Sequence, residues 1–194
     1  MARTYVKSKR AEREASTRQR IAEAALALHT EHGPANTTIS MIAERAGVQR
    51  HTVYAHFADE RSILMACSGL HEERNPLPDP MTWEADNDPE VKLRKALSAL
   101  YGWYAQNRAL IAHVIRDLEV HEPTREVAAV RTAPALAAIA NTLSGGLDAT
   151  GRAALHLAMS FHTWRALVAE GSLKTEVAVE LMVRTVLRTA ARAM

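Results

Sequence analysis

Gln49, Arg50, His51, Thr52, Tyr54 and His56 place six hydrogen-bonding side chains within eight residues, inside the stretch AGVQRHTVYAHF that runs from Ala46 to Phe57. The chemistry open to them is recognition of a nucleic acid. The Arg50 guanidinium can donate two parallel hydrogen bonds to guanine O6 and N7, Gln49 can pair with adenine in the same bidentate way, and Thr52, Tyr54 and His56 carry donors for phosphate oxygens. The same six side chains would also suit an ordinary polar surface. A second set, His113, Asp117 and His121, falls at i, i+4 and i+8 and so would share one face of a helix, flanking the apolar arc of Leu110, Val114 and Leu118. Three readings are open for it: donors facing an effector pocket, bonds between helices, or metal ligands. A metal normally needs a fourth ligand, and the sequence names none.

The elements that must position the first set are short and sharply punctuated. Ser16 reads as a helix cap with Gln19 as its capping-box partner, and Ile21, Ala24, Ala25 and Leu28 then repeat with helical spacing up to Gly33 and Pro34. Thr37 or Thr38 caps a second helix whose Ile39, Ile42, Ala43 and Ala46 face inward and which Gly47 stops. A third helix buries Val48, Val53 and Phe57 and turns its polar residues outward. Two short helices about a glycine turn, with a small Ala43 before it and a branched Val53 after it, form the helix-turn-helix pattern, because a steep crossing admits only a small side chain at its contact point.

Charge is distributed to match. Residues 1–57 hold nine Lys or Arg against five Glu, a balance of +4, and with +2 on the whole chain the remaining residues carry −2. Within residues 1–20 seven basic residues face two acidic ones. That run reads either as a solvated tail or as a basic arm tracking a phosphate backbone; the helices after it favour the arm. The caps Thr37 and Thr38 add a helix N-terminus able to receive a phosphate.

The run TRQRIAEAALALHTEHGPANTTISMIAERAGVQRHTVYAHFADERSILMA, residues 17–66, resembles the N-terminal domain of the tetracycline-repressor-like (TetR) family of transcriptional regulators, above all in IAERAGV followed by TVYAHF. The resemblance implies a helix-turn-helix in the second and third helices, a helical C-terminal domain that binds a small-molecule effector, and a homodimer on a palindromic double-stranded operator. Carried over by position, Thr38 and Tyr54 would hold phosphates, and Gln49, Arg50 and His51 would lie nearest the bases. Two positions depart from the family. A bulky His51 stands where a small residue is common, and Glu60 stands where a Lys or Arg usually meets phosphate, with Arg61 beside it as the substitute.

Beyond residue 66 the chain changes character. Residues 75–89 hold four of the seven prolines and no helical period, so a loop is expected there. Five further apolar-periodic segments follow, at 91–106, 108–120, 125–143 (kinked at Pro134), 152–170 and 176–193, making nine helices in all. The last two have broad apolar faces: Leu157, Phe161, Trp164 and Val168 on one, Leu181, Met182, Val186 and Leu187 on the other. Such breadth fits either a subunit interface, as the family would have it, or core packing. An effector site is expected where Trp103 and Tyr104, Phe161, His162 and Arg165, and the polar set His113, Asp117 and His121 converge, mostly apolar with a few donors.

The expected fold is all-α, with a basic arm over 1–15, a helix-turn-helix domain over 16–62 and a helical effector-binding and dimerisation domain over 63–194. With 47% hydrophobic and 24% charged residues the chain can bury a core. The lone Cys67 excludes an internal disulfide and reads as a buried core residue. No window approaches the ~20 apolar residues of a membrane span, and the charged N-terminus lacks the apolar stretch of a leader, so a cytoplasmic protein with no membrane partner is expected. No cofactor motif occurs, and GSLKT at 171–175 lacks the glycine that a phosphate loop needs, so an enzyme is not expected. A repressor released by its effector is the leading function, and an architectural DNA binder or an activator without effector release is the alternative.

Overall fold

The computed structural model describes the backbone of residues 2–191 and the side chains of residues 9–189. The basic side chains of Arg3 and Lys7, and the end of the last expected helix at 192–193, lie outside the described residues. Helices account for the regular structure, with no strand among the described residues. Two compact units divide the chain: residues up to Pro76 together with Ala109–Arg131, and Leu77–Arg108 together with the residues from Thr132 onward.

In the first unit, α1 runs from Ala2 to His32. Ser16, expected to begin a helix, lies inside it. The residues before Ser16 are mostly good helix formers, an Arg10–Glu14 ion pair at 3.0 Å spans one turn, and the Thr17 hydroxyl donates back to the Arg13 carbonyl at 2.9 Å, so nothing stops the helix there. Arm and first helix are one element. Ile21, Ala24, Ala25 and Leu28 form its buried face. Gly33, at φ 90°, ends it, and Pro34–Asn36 make a single 3₁₀ turn. Helix α2 (Ile39–Ala46) begins at the Thr38 cap, whose side chain accepts the Met41 N–H, and stops at Gly47 in the left-handed conformation. Helix α3 (Arg50–His56) follows after a short turn, and α4 (Glu60–Arg74) starts from a reciprocal capping box between Asp59 and Ser62. Ile42, Ala43, Val53, Phe57, Ile63 and Cys67 close the core with α1, each large side chain contributing roughly 1.5–3 kcal/mol by burial. Val127 of α7 (Glu122–Val130) enters the same core.

The second unit corrects several boundaries. Within the expected loop a short helix, α5 (Met81–Glu84), buries Trp83, whose indole donates to Thr142 Oγ1 at 3.2 Å. The two helices expected at 91–106 and 108–120 are one, α6 (Pro89–Asp117), whose last turns belong to the first unit. Asn107 does not break it, because its amide donates to the Trp103 carbonyl one turn back. The helix expected over 125–143 is two, α7 and α8 (Thr132–Leu143); Pro134 sits in the first turn of α8, where a missing N–H loses no helical bond. Segment 152–170 divides into α9 (Ala149–Met159), α10 (Phe161–Trp164) and a π-helical stretch Arg165–Glu170. The break at Ser160 is satisfied from both sides: Tyr101 and Tyr104 hydroxyls donate to the Ala158 and Met159 carbonyls at 2.9 and 2.6 Å, and the Ser160 side chain caps α10. Helix α11 (Thr175–Ala191) packs along α9. Among the described residues, eleven α-helices thus stand where nine were expected.

Candidate nucleic-acid interface

The turn between α2 and α3 sets the outer face of α3. Gly47 adopts φ 63° and ψ 40°, and its N–H bonds back to Ala43 and Glu44, so the chain reverses within a few residues. Val53 is fully buried beneath, which leaves Gln49, Arg50, His51 and Tyr54 exposed and Thr52 and His56 partly so. Gln49 occupies the cap position of α3 without donating to or accepting from the helix end through its side chain. All six residues singled out in the sequence therefore line one element, and Gln49 through Thr52 together with Tyr54 flank its solvent side.

Thr38 is exposed at the start of α2; having accepted the Met41 N–H at 3.3 Å, its hydroxyl keeps a hydrogen to donate. Arg61 is paired with Glu126 at 2.7 Å, and both side chains are about half exposed, 49% and 48%. Such a pair contributes about 0–1 kcal/mol, so the guanidinium can exchange Glu126 for a phosphate at little cost. Arg18, read from sequence only as one charge of the arm, has a defined place: its guanidinium donates to the His56 carbonyl and lies 4.1 Å over the Phe57 ring. It fixes the C-terminal end of α3 against α1. No spacing rule joins residues 18 and 57, so this contact was visible only in three dimensions.

His113, Asp117 and His121 do not share one helical face. Helix α6 ends at Asp117, and His121 instead caps α7, its N–H bonded to the Asp117 carbonyl at 2.8 Å; Pro123, at the first turn of α7, starts the new helix. Their polar atoms are engaged within the first unit. His113 Nδ1 lies 3.1 Å from the Thr30 carbonyl, which requires the proton on that nitrogen. The buried Asp117 carboxylate accepts from Arg116 Nε at 2.7 Å and from the Ala35 N–H at 2.9 Å, while the Arg116 guanidinium also donates to the His32 carbonyl. Burial pushes the Asp117 carboxyl up, but the hydrogen bonds from Arg116 and Ala35, with the charge of Arg116 and the field of His113, hold it below the usual range. His121 lies between Thr124 Oγ1 at 2.7 Å and Glu60 at 3.1 Å. In this structure the three residues join the end of α6 and the start of α7 to α1 and α4. Among the described residues no three His, Cys, Asp or Glu side chains converge as a metal would need.

The remaining candidates lie in the second unit. Tyr104 meets Phe161 edge-on at 5.5 Å, Trp164 at 6.0 Å and Trp103 at 5.8 Å, and Phe161 lies 5.3 Å from Trp164. Phe161 and Trp164, two residues of the broad apolar face expected either at a subunit interface or in the core, are buried in this cluster, and the Trp164 indole N–H is buried without a partner. His162 and Arg165 point to solvent, Arg165 paired with Glu170 at 3.1 Å. Among the described residues, the large apolar side chains that stay exposed on α9 and α11 are Leu157, Val177 and Leu181.

Comparison with known proteins agrees with this arrangement. A family described as bacterial regulatory proteins, tetR family, matches residues 21–67. The chain is similar to the HTH-type transcriptional regulator TtgR of Pseudomonas putida, 36% identical over 86 residues, 44% of this chain and 41% of the relative. It spans less than half the length of that relative. Among solved structures, the fatty acid degradation regulator FadR from Bacillus halodurans has a TM-score of 0.61 at 19% identity, over 88% of this chain and 94% of the other. A TetR-like transcriptional regulator from Rhodococcus sp. RHA1 gives 0.60 at 19% identity, over 90% and 96%. These two share the fold.

Proposed function

We propose that the chain is a member of the tetR family of bacterial regulatory proteins, whose pattern matches residues 21–67, and that it is a transcriptional repressor which binds a palindromic operator as a homodimer and leaves it when a small molecule binds. The observation that carries this reading is the solvent face of α3, where Gln49, Arg50 and His51 stand exposed on a helix too short to serve as a core element by itself. The N-terminal residues of such a helix are those that reach base edges in the major groove. Thr38, Tyr54 and Arg61 flank them as phosphate contacts, with Thr52 and His56 beside them, and α1 adds positive charge along the backbone.

Arg50→Ala is the direct test of this assignment. It is expected to weaken operator binding by about 1–3 kcal/mol and to relax preference at one base position, measured by fluorescence anisotropy against operator variants. Equal losses on all sequences would make Arg50 a phosphate contact.

Two helices each from two subunits would make the dimer contact, with Leu157, Val177 and Leu181 as its exposed apolar residues on α9 and α11. Leu181→Glu is expected to raise the dimer dissociation constant roughly tenfold or more in sedimentation equilibrium, since a charge would be buried against an apolar partner. An unchanged constant would move the interface elsewhere.

The effector is assigned to the aromatic cluster of the second unit. Trp103, Tyr104 and Phe161 supply apolar walls, His162 and Arg165 stand at its outer edge, and the unpartnered Trp164 N–H would reward a ligand that brings a hydrogen-bond acceptor. His113, Asp117 and His121 belong to the response: they tie the end of α6 to the helices of the DNA-binding unit, so a ligand that favours one position of α6 biases the reading helix.

A further inference from the structure

We propose that a cleft in the N-terminal unit is a binding site for a small organic cation with an apolar body, an alkylammonium or arylamidinium ion. The cleft has a volume of about 290 Å³ and lies between α1, the turn before α2, the first turns of α2 and α4, and His121. Ile39, Ile42 and Ile63 form its apolar walls. Its polar groups are His29, Thr37, Thr38, Glu60 and His121.

The hydrogen bonds already made decide what these polar groups can still offer. Thr37 is buried and gives its hydroxyl hydrogen to the Gly33 carbonyl at 2.8 Å, so lone pairs remain for the cleft. His29 is buried, and burial first and His121 second hold it neutral down to about 4. Its Nδ1 faces the Cys67 sulfur at 3.4 Å while the thiol donates to the Leu64 carbonyl, so Nδ1 carries the proton and Nε2 is left as an acceptor. One Glu60 oxygen takes the His121 Nε2–H at 3.1 Å, leaving the other. Acceptors therefore dominate, and the Glu60 carboxylate, paired on one oxygen with His121, supplies negative charge.

An anion would be repelled by Glu60, and a neutral molecule would make only an uncharged hydrogen bond to the Glu60 oxygen that His121 leaves open. Ordered water can meet the polar groups but leaves the three isoleucine walls uncovered by any apolar partner. A cation that donates several hydrogen bonds from one end and packs a ring or short chain on the isoleucines satisfies both faces. The volume, near the lower end of the ~300–1,000 Å³ usual for small-molecule sites, limits it to a compact body. The cleft shares Thr38 and His121 with the residues assigned to operator binding and response, so the test uses the free protein without DNA.

The test is titration of the full-length, isotope-labelled protein with benzamidinium chloride, followed by amide chemical shifts, with benzamide as the uncharged isostere. Saturable shifts confined to Ala35–Ile42, Glu60–Ile63 and His121 are expected, with benzamide about tenfold weaker or more. Glu60→Gln, at a half-exposed position where the amide oxygen can still accept from His121, is expected to lower benzamidinium affinity about tenfold and leave benzamide unchanged. Equal affinity of the two probes, shifts scattered over other carboxylates, or no saturation would overturn the proposal. If the Glu60→Gln variant does not fold, the wild-type comparison of the two probes decides alone.

Discussion

Gly33→Ala is expected to destabilise the first unit by about 3 kcal/mol. Two independent causes add. Gly33 has φ 90° and ψ 157°, a conformation open to glycine and strained by roughly 1–3 kcal/mol for other residues. The added Cβ would also stand 2.7 Å from Asp117 Oδ2, 3.1 Å from His113 Cβ and closer still to the Arg116 guanidinium, so the clamp that bonds Ala35 and His32 to the end of α6 must open. Asp117→Ala removes the same clamp from the other side and leaves the Ala35 N–H without its partner, at a cost of about 2–3 kcal/mol. Because both changes break one set of contacts, the double variant is expected to lose about 1 kcal/mol less than the sum of the two. Urea unfolding of the four proteins measures this. Full additivity would show that Gly33 matters through its backbone alone.

Lowering the pH from 8 to 5 is expected to remove about 2 kcal/mol of stability through His29 alone, rising to about 3 kcal/mol near pH 4. Burial, with a smaller contribution from His121, lowers this imidazole from 6.5 to about 4, against the opposing field of Asp117. Between those values the unfolded chain binds a proton that the folded chain refuses, so stability falls as pH falls, starting near 6.5 and levelling off near 4. Asp117 acts in a separate window: held below the usual carboxylate range, its contribution is complete above its unfolded value and fades only in stronger acid. His29→Leu should flatten the pH 5–8 slope of unfolding free energy, and an unchanged slope would assign the dependence to another group.

The N-terminal unit was legible because its signals are local. Thr38, Gly47, Ala43 and Val53 each have a conformational or steric reason that acts within a few residues, and the Thr38 cap, the turn and the buried set agree with it, whereas the expected Ser16 cap lies inside α1. The long helices were harder to divide. Asn107 looked like a boundary but bonds back into its own helix, whereas the break at Ser160 depends on two tyrosine hydroxyls far away in sequence. Likewise the i, i+4, i+8 pattern of His113, Asp117 and His121 assumed a helix that in fact ends at Asp117. The periodicity was real for the first two, and their hydrogen bonds to Thr30 and Ala35 follow from packing that no spacing encodes. His29 was missed, and Glu60 was singled out only as a departure from the family, for the same reason, since what makes them interesting is what surrounds them.

The central claim is sequence-specific recognition of duplex DNA by the exposed face of α3. Selection of the full chain against a random duplex library at moderate salt, with sequencing of the bound fraction, tests it most directly. The expected result is a palindrome whose half-sites lie about one helical turn apart, roughly 34–36 Å, and whose enrichment disappears with Arg50 and Gln49 both changed to alanine. A bound fraction with no enriched sequence, or a motif unaltered in that variant, would contradict it.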